Sequence, residues 1–194
     1  MVTAMQDVKH GMTIEQFLEF YDEQPDGKWE LIEGVPTLAA SPTDYHQMIV
    51  GNLIVALASA RDKQGAAWEA MPGVGTRVPI SPRSLPEPDL MVKGEPPIGA
   101  HTSSEALVLF EILSQSNRKA DREWRHRVYS SVPNCQHYVT VSQSRALVTR
   151  HDRASDWKGI EIKGLDGTLD LSALRASIPL TVIYRGTPVA RKAS

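Results

Sequence analysis

Two acids set in apolar, strand-like runs are the residues of this chain best placed to do chemistry. Asp89 follows Pro86, Glu87 and Pro88 and leads into Leu90, Met91 and Val92, while Glu111 lies between Phe110 and Ile112 in the apolar run 107–113. An ionised carboxylate in or at the end of a buried strand is costly unless a metal ion, a partner charge or a proton compensates it. Two such acids on successive strands suggest a divalent-cation site. A hard cation such as magnesium prefers carboxylate oxygens and keeps several waters, so two acids and a backbone carbonyl suffice as the protein's share. A metal so held can polarise a phosphate and lower the pKa of an attacking water. The same pair also fits a plainer arrangement, with Asp89 an exposed strand-edge acid and Glu111 a strand-end acid paired with an arginine. Spacing alone does not separate the two.

Other candidates surround this pair. His46 begins an apolar helical face and is expected to point toward a sheet, where it could contact a phosphate or orient a water; it equally suits a hydrogen-bonded core histidine. Asp121, Arg125 and Tyr129 fall at i, i+4 and i+8 on one helical face. Asp before Arg at this spacing is also the favoured orientation of an ordinary helix pair. If the face looks at Glu111, Arg125 supplies positive charge beside the metal. With Arg118, Lys119, Arg122 and Arg127 it forms the most basic stretch of the chain, a candidate phosphate-binding surface. Weaker signals are set aside. Gly73 and Gly75 are too close together for a phosphate-binding fingerprint. Cys135 has only His137 as a potential helper for nucleophilic chemistry. The four tryptophans are dispersed and read as packing.

The elements that must position these residues follow from local signals. Thr13 with Gln16 has the capping-box form, with Ile14, Phe17, Leu18 and Tyr21 at helical spacing behind it, and residues 25–27 are a turn signal. Residues 29–32 and 36–39 flank Glu33 and Gly34 and predict a β-hairpin. Ser41 and Pro42 open the strongest helix, running to about Gly65, with His46, Ile49, Val50, Leu53 and Leu57 on one face. Strands are predicted over 66–70, 75–80, 89–92 and 107–113, with a Pro- and Gly-rich loop over 93–104. A helix follows over 121–130, then strands over 137–141, 146–151 and 159–162, a turn at 164–167 and an apolar closing segment, 169–183. Residues 186–194 are expected to be a flexible tail. This order implies one domain with an α/β (α+β) architecture, a mixed sheet carrying helices.

Composition narrows the partners. The chain has 194 residues, 41% hydrophobic and 23% charged, enough for one sizeable core. Its net charge of −2 argues against a protein that coats nucleic acid non-specifically, yet leaves room for a local basic patch. A lone cysteine excludes an internal disulfide framework and fits a reducing compartment. No apolar run approaches the roughly 20 residues of a membrane span, and the N-terminus lacks a signal-peptide apolar region, so the expected location is cytoplasmic.

Taken in order, the motifs resemble a known family. Trp29, Glu30, Leu31, Ile32, Glu33 and Gly34 look like its opening hairpin, and Ser41 and Pro42 followed by His46, Gln47 and Val50 to Leu53 like its histidine helix. Pro88, Asp89 and Leu90 resemble its first acidic motif; Phe110, Glu111, Ile112, Leu113 and Ser114, with Ser116, resemble its second. Asp121, position 125 and Tyr129 match its D-x-x-x-K-x-x-x-Y helix, and Val132, Pro133 and His137 to Val139 its next strand. This is the Uma-two-type family of proposed restriction endonucleases, a bacterial branch of the PD-(D/E)XK nuclease superfamily, and the resemblance covers about residues 12–185. It implies a restriction-endonuclease-like core, with a mixed central sheet flanked by helices, that hydrolyses DNA phosphodiesters with magnesium, manganese being a possible substitute. Asp89, Glu111 and the backbone carbonyl of Ile112 would hold the metal, His46 would assist at the phosphate, and Glu30 in the hairpin would brace the site. Homodimers are common among such nucleases. In such nuclease sites a lysine normally stands two residues after the second acid, where this chain has Leu113; the family resembles a variant in which that lysine has moved to the following helix, at the position of Arg125. Arginine keeps the charge but does not readily give up a proton, which favours the alternative of a catalytically weak or inactive nuclease-fold protein acting in nucleic-acid binding or assembly.

Overall fold

Thr13 starts the first helix reciprocally: its hydroxyl accepts the Gln16 N–H at 3.2 Å and the Gln16 side chain accepts the Thr13 N–H at 2.9 Å. Helix α1 (Ile14–Asp22) then lays Ile14 and Phe17 against the hairpin β1 (Trp29–Ile32) and β2 (Val35–Leu38). The hairpin turns on Glu33 and Gly34, with φ of 49° and 83°, the left-handed pair a two-residue turn demands. At Gly34 a side chain would also meet Gly11, whose Cα would lie 3.0 Å from the added carbon. The computed structural model describes residues 11–24, 27–94, 102–114 and 118–191.

Helix α2 (Asp44–Gln64) is capped by the Thr43 hydroxyl on the His46 N–H, two residues later than the Ser41–Pro42 start predicted from sequence, and ends at Gly65 in the left-handed conformation. Its face of Ile49, Val50, Leu53 and Leu57 is buried, as the spacing predicts. The chain continues through β3 (Glu69–Met71), β4 (Gly75–Thr76), β5 (Leu90–Lys93), β6 (Thr102–Ser103), β7 (Val108–Leu113), α3 (Lys119–Ser130), β8 (His137–Ser142), β9 (Leu147–Asp152) and β10 (Gly159–Lys163). It closes with β11 (Thr168–Leu171), β12 (Ala176–Pro179), α4 (Leu180–Ile183) and α5 (Pro188–Arg191).

Six strands form the central sheet in the order β10-β9-β8-β7-β5-β3. Only β7 and β8 run parallel within it, joined by α3 as a crossover, so the sheet is mixed as expected. Strand alternation sorts the core into two layers. Leu90, Val92, Val108, Phe110, Ile112, Val139 and Val141 pack toward α2, while Met91, Leu109 and Tyr138 pack toward Val128 and Tyr129 of α3.

Several expected boundaries change. Only Gly75 and Thr76 of the predicted strand 75–80 pair, and they pair in parallel with β6, within the stretch predicted as loop. Pro79 has no N–H to continue a ladder. Asp89 flanks β5 rather than lying in it. The closing segment is a β11–β12 hairpin followed by α4. The predicted tail is ordered through α5, because Val189 packs into the main core and the Thr187 hydroxyl, fully buried, donates to the Tyr184 carbonyl at 2.7 Å. Residues 95–101, the turn residues Pro25 and Asp26, Ser116 of the second acidic motif and the last three residues lie outside the described residues.

Candidate active site

The register of β5 and β7 brings the two acids together. Leu90 lies opposite Phe110 and Met91 opposite Leu109, so continuing the antiparallel pairing by one residue sets Asp89 opposite Glu111. Both belong to the row facing α3, and the Ile112 N–H donates to Asp89 Oδ2 at 2.8 Å, fixing the carboxylate at the strand end. His46 reaches the same oxygen from α2, with Nε2 at 3.1 Å. The side chains of His46 and Asp89 are each 13% exposed. Thus His46 touches the first acid, and its Nδ1 is buried with no hydrogen-bond partner among the described residues.

Glu111 is held from the opposite side by α3. Tyr129 donates its hydroxyl to Glu111 Oε1 at 2.9 Å, and Arg125 Nη1 reaches the same oxygen at 3.1 Å. The rest of the Arg125 fork closes on Glu30 of the hairpin, Nη1 to Oε1 at 3.1 Å and Nη2 to Oε2 at 2.6 Å, a bidentate pair. Glu30 also accepts the Glu87 N–H at 2.6 Å. Arg125 is therefore clamped between two buried carboxylates. Asp121, one turn earlier on α3, is exposed and lines the cleft.

Three further residues, all missed from sequence, complete the arrangement: Lys28, Glu87 and Trp124. Lys28 precedes β1 and places Nζ 3.6 Å from Asp89 Oδ1 and 3.4 Å from Glu87 Oε1. The signal was alternation: Lys28 shares a strand face with Glu30, and Glu87 with Asp89. Trp124 of α3 also donates to Glu33 Oε1 at 3.0 Å, tying the hairpin turn to that helix.

The electrostatics differ between the two acids. Burial pushes Glu111 up to about 7, with Asp89 and Glu30 adding to the rise and Arg125 opposing it. Burial would raise Asp89 as well, but the hydrogen bond from His46 and the charge of Lys28 hold it below the ordinary aspartate value. Burial raises Glu87. Burial would lower Lys28, yet Asp89 and Glu87 outweigh it and keep the amine above its usual value, so it is cationic at neutral pH.

These groups line a cleft of about 890 Å³. Among the described residues no three His, Cys, Asp or Glu side chains converge as a full ligand set. A cation here would depend on two carboxylates plus water and backbone oxygen, a share that suits magnesium. The donor set fits this: the bonds from His46 and Ile112 fall on Asp89 Oδ2 and those from Arg125 and Tyr129 on Glu111 Oε1, so among the described residues the second oxygen of each acid accepts no hydrogen bond, Asp89 Oδ1 meeting only the long Lys28 contact. Beside the cleft, sharing Ser114 with it, Arg122 and Arg145 line a smaller groove with Thr140 and Ser142. The basic stretch of α3 thus divides, Arg125 facing inward and Arg122 facing this groove. The Cys135–His137 idea fails. Cys135 Sγ lies 3.4 Å from the His137 carbonyl, burial pushes the thiol up to about 12, and the His137 ring binds Asp152 and the Ala173 N–H.

Among the described residues no helix is long and apolar enough to cross a membrane. No curated protein matches the chain. The crystal structure of a “putative nuclease belonging to DUF820” from Anabaena variabilis superposes with a TM-score of 0.71 at 14% identity, covering 89% of this chain and 97% of that one, and so shares the fold. The family model described as “Putative restriction endonuclease” matches residues 14–182, and the chain belongs to that family, Uma2.

Proposed function

We propose that this protein is a divalent-metal-dependent nuclease that hydrolyses DNA phosphodiester bonds. The observation that carries the reading is the opposition of Asp89 and Glu111 across β5 and β7, inside a cleft, with a second oxygen of each that accepts no hydrogen bond among the described residues. Asp89, Glu111 and the backbone carbonyl of Ile112 are the residues that would hold magnesium or manganese. When bound, the metal supplies Lewis-acid polarisation of the phosphate and a lowered pKa for the attacking water.

The chain's own residues do the rest. Ile112 N–H and His46 hold Asp89 in one rotamer, and Tyr129 with Arg125 does the same for Glu111. The Arg125–Glu30 pair ties α3 to the hairpin within the cleft lining, and the positive charge of Arg125 favours the ionised form of Glu111.

A plasmid-nicking assay with magnesium or manganese tests the assignment. Asp89→Ala and Glu111→Ala are each expected to slow cleavage on the order of 10³-fold, the scale of several kcal/mol of transition-state stabilisation. Cleavage that survives both substitutions rules the site out.

A second reading, nucleic-acid binding with little turnover, is favoured by the commitment of Arg125 to Glu30 and Glu111 and by arginine standing at position 125, where the family's helix carries lysine. Under it, Arg125→Lys creates or greatly raises cleavage; under the first reading the rate is unchanged or falls.

A further inference from the structure

The cleft is short of positive charge. Among the described residues, six carboxylates line it against two permanent cations, Lys28 and Arg125. A phosphodiester entering such a space needs a cationic donor that can turn toward it. Arg125 is poorly suited, because its fork is divided among Glu30, Glu111 and the Tyr129 hydroxyl and its side chain is 19% exposed. Lys28 is differently placed. Its backbone is anchored, the carbonyl accepting the Ala39 N–H at 2.8 Å, but among the described residues Nζ makes only long contacts of 3.4 and 3.6 Å, and the side chain is 34% exposed at the cleft. Those contacts exceed the usual range of N–H···O bonds, and an ammonium on a four-carbon stem carries three rotatable donors.

We propose that Lys28 is the catalytic cation of this site, its ammonium contacting a non-bridging oxygen of the scissile phosphodiester beside Asp89. This rests on the nuclease reading and gives the hairpin a chemical task. In the free protein Lys28 balances Glu87 and Asp89. An arriving phosphate offers Nζ a better-exposed anion without a change of backbone. Arg125 then acts as a positioning residue, holding Glu30 and Glu111.

The test measures duplex-oligonucleotide binding across a salt series and plasmid nicking, for wild type, Lys28→Met and Lys28→Arg. If Lys28 meets phosphate, Lys28→Met lowers the slope of log affinity against log salt by about 1. It also lowers the nicking rate about 10²–10³-fold, as loss of a transition-state donor does. Lys28→Arg recovers most of the slope and part of the rate. Wild-type slope and rate in Lys28→Met overturn the proposal, as does a slowed rate with unchanged slope that arginine does not recover, since that marks an indirect effect on Asp89. Should the wild type nick nothing, the nuclease reading falls by itself, and the salt slope still decides whether Lys28 contacts phosphate.

Discussion

Arg125→Met is expected to lower the free energy of unfolding by about 3–5 kcal/mol at pH 8, far more than an ordinary surface charge change. The cause is what the substitution leaves behind. Glu30 and Glu111 are 4% and 6% exposed, and Arg125 is the cation that bonds both. Removing it strands two carboxylates in a space from which water is largely excluded. The penalty shrinks toward pH 5, where protonation relieves Glu111. Arg125→Lys loses less, because it keeps the charge, although an ammonium cannot reproduce the planar fork that spans both acids. Urea unfolding of the metal-free protein at the two pH values reads the effect directly. A loss below about 1 kcal/mol at pH 8 contradicts this account of the clamp, being the scale of an exposed ion pair.

Glu111→Gln is expected to move stability and activity in opposite directions. The folded value of about 7 lies above the ordinary 4.5, so the contribution of Glu111 to stability is complete below pH 4.5 and is lost as the pH rises through 7. At pH 8 the ionised side chain therefore costs the metal-free fold up to roughly 3 kcal/mol, of which a neutral amide of similar shape recovers about 1–3. Melting temperatures should separate at pH 8, with the variant higher, and converge near pH 5. In the nicking assay the same variant should be slowed on the order of 10³-fold, since an amide is a poor ligand for a hard cation. A variant less stable than wild type at pH 8 contradicts the burial argument, independently of any cleavage result.

How far the molecule could be read in advance follows the range of each interaction. The α1 capping box, the hairpin turn at Glu33 and Gly34 and the apolar face of α2 are all set by residues within a few positions of each other, and all stand in the structure. The pairing of β4 with β6 was not legible: Gly75 meets Thr102, and two-residue strands carry no periodicity. The start of α2 was ambiguous because Ser41 and Thr43 are both good caps, and only the hydroxyl contact with the His46 N–H decides for Thr43.

The site divides in the same way. Asp89 and Glu111 stood out as acids inside apolar runs, and the α3 spacing put Arg125 and Tyr129 on one face. The partner that closes the Arg125 fork is Glu30, 95 residues away, so the helix alone could not reveal that its charge is spoken for. Lys28 and Glu87 were passed over for the same reason. They acquire meaning only when the hairpin folds over the strand ends, and alternation, which sets Lys28 beside Glu30 and Glu87 beside Asp89, does not by itself show that the two faces meet.

The hairpin that brings Lys28 and Glu30 belongs to a small core of its own, Ile14, Phe17, Leu31 and Leu85, apart from the two layers that hold the sheet. Its backbone attachment to the 83–85 segment is short: Leu31 and Leu85 exchange two hydrogen bonds, and Gly34 N–H reaches the Arg83 carbonyl. With so short a backbone attachment, the unit is expected to open at a free energy below that of global unfolding, against the Arg125–Glu30 and Trp124–Glu33 bonds that also hold it. When it lifts, the cation and the brace leave together, while Asp89, His46, Glu111 and Tyr129 stay on the sheet and helices. The hairpin would then be a removable wall, and amide exchange faster there than in the central sheet is the expected result that checks it.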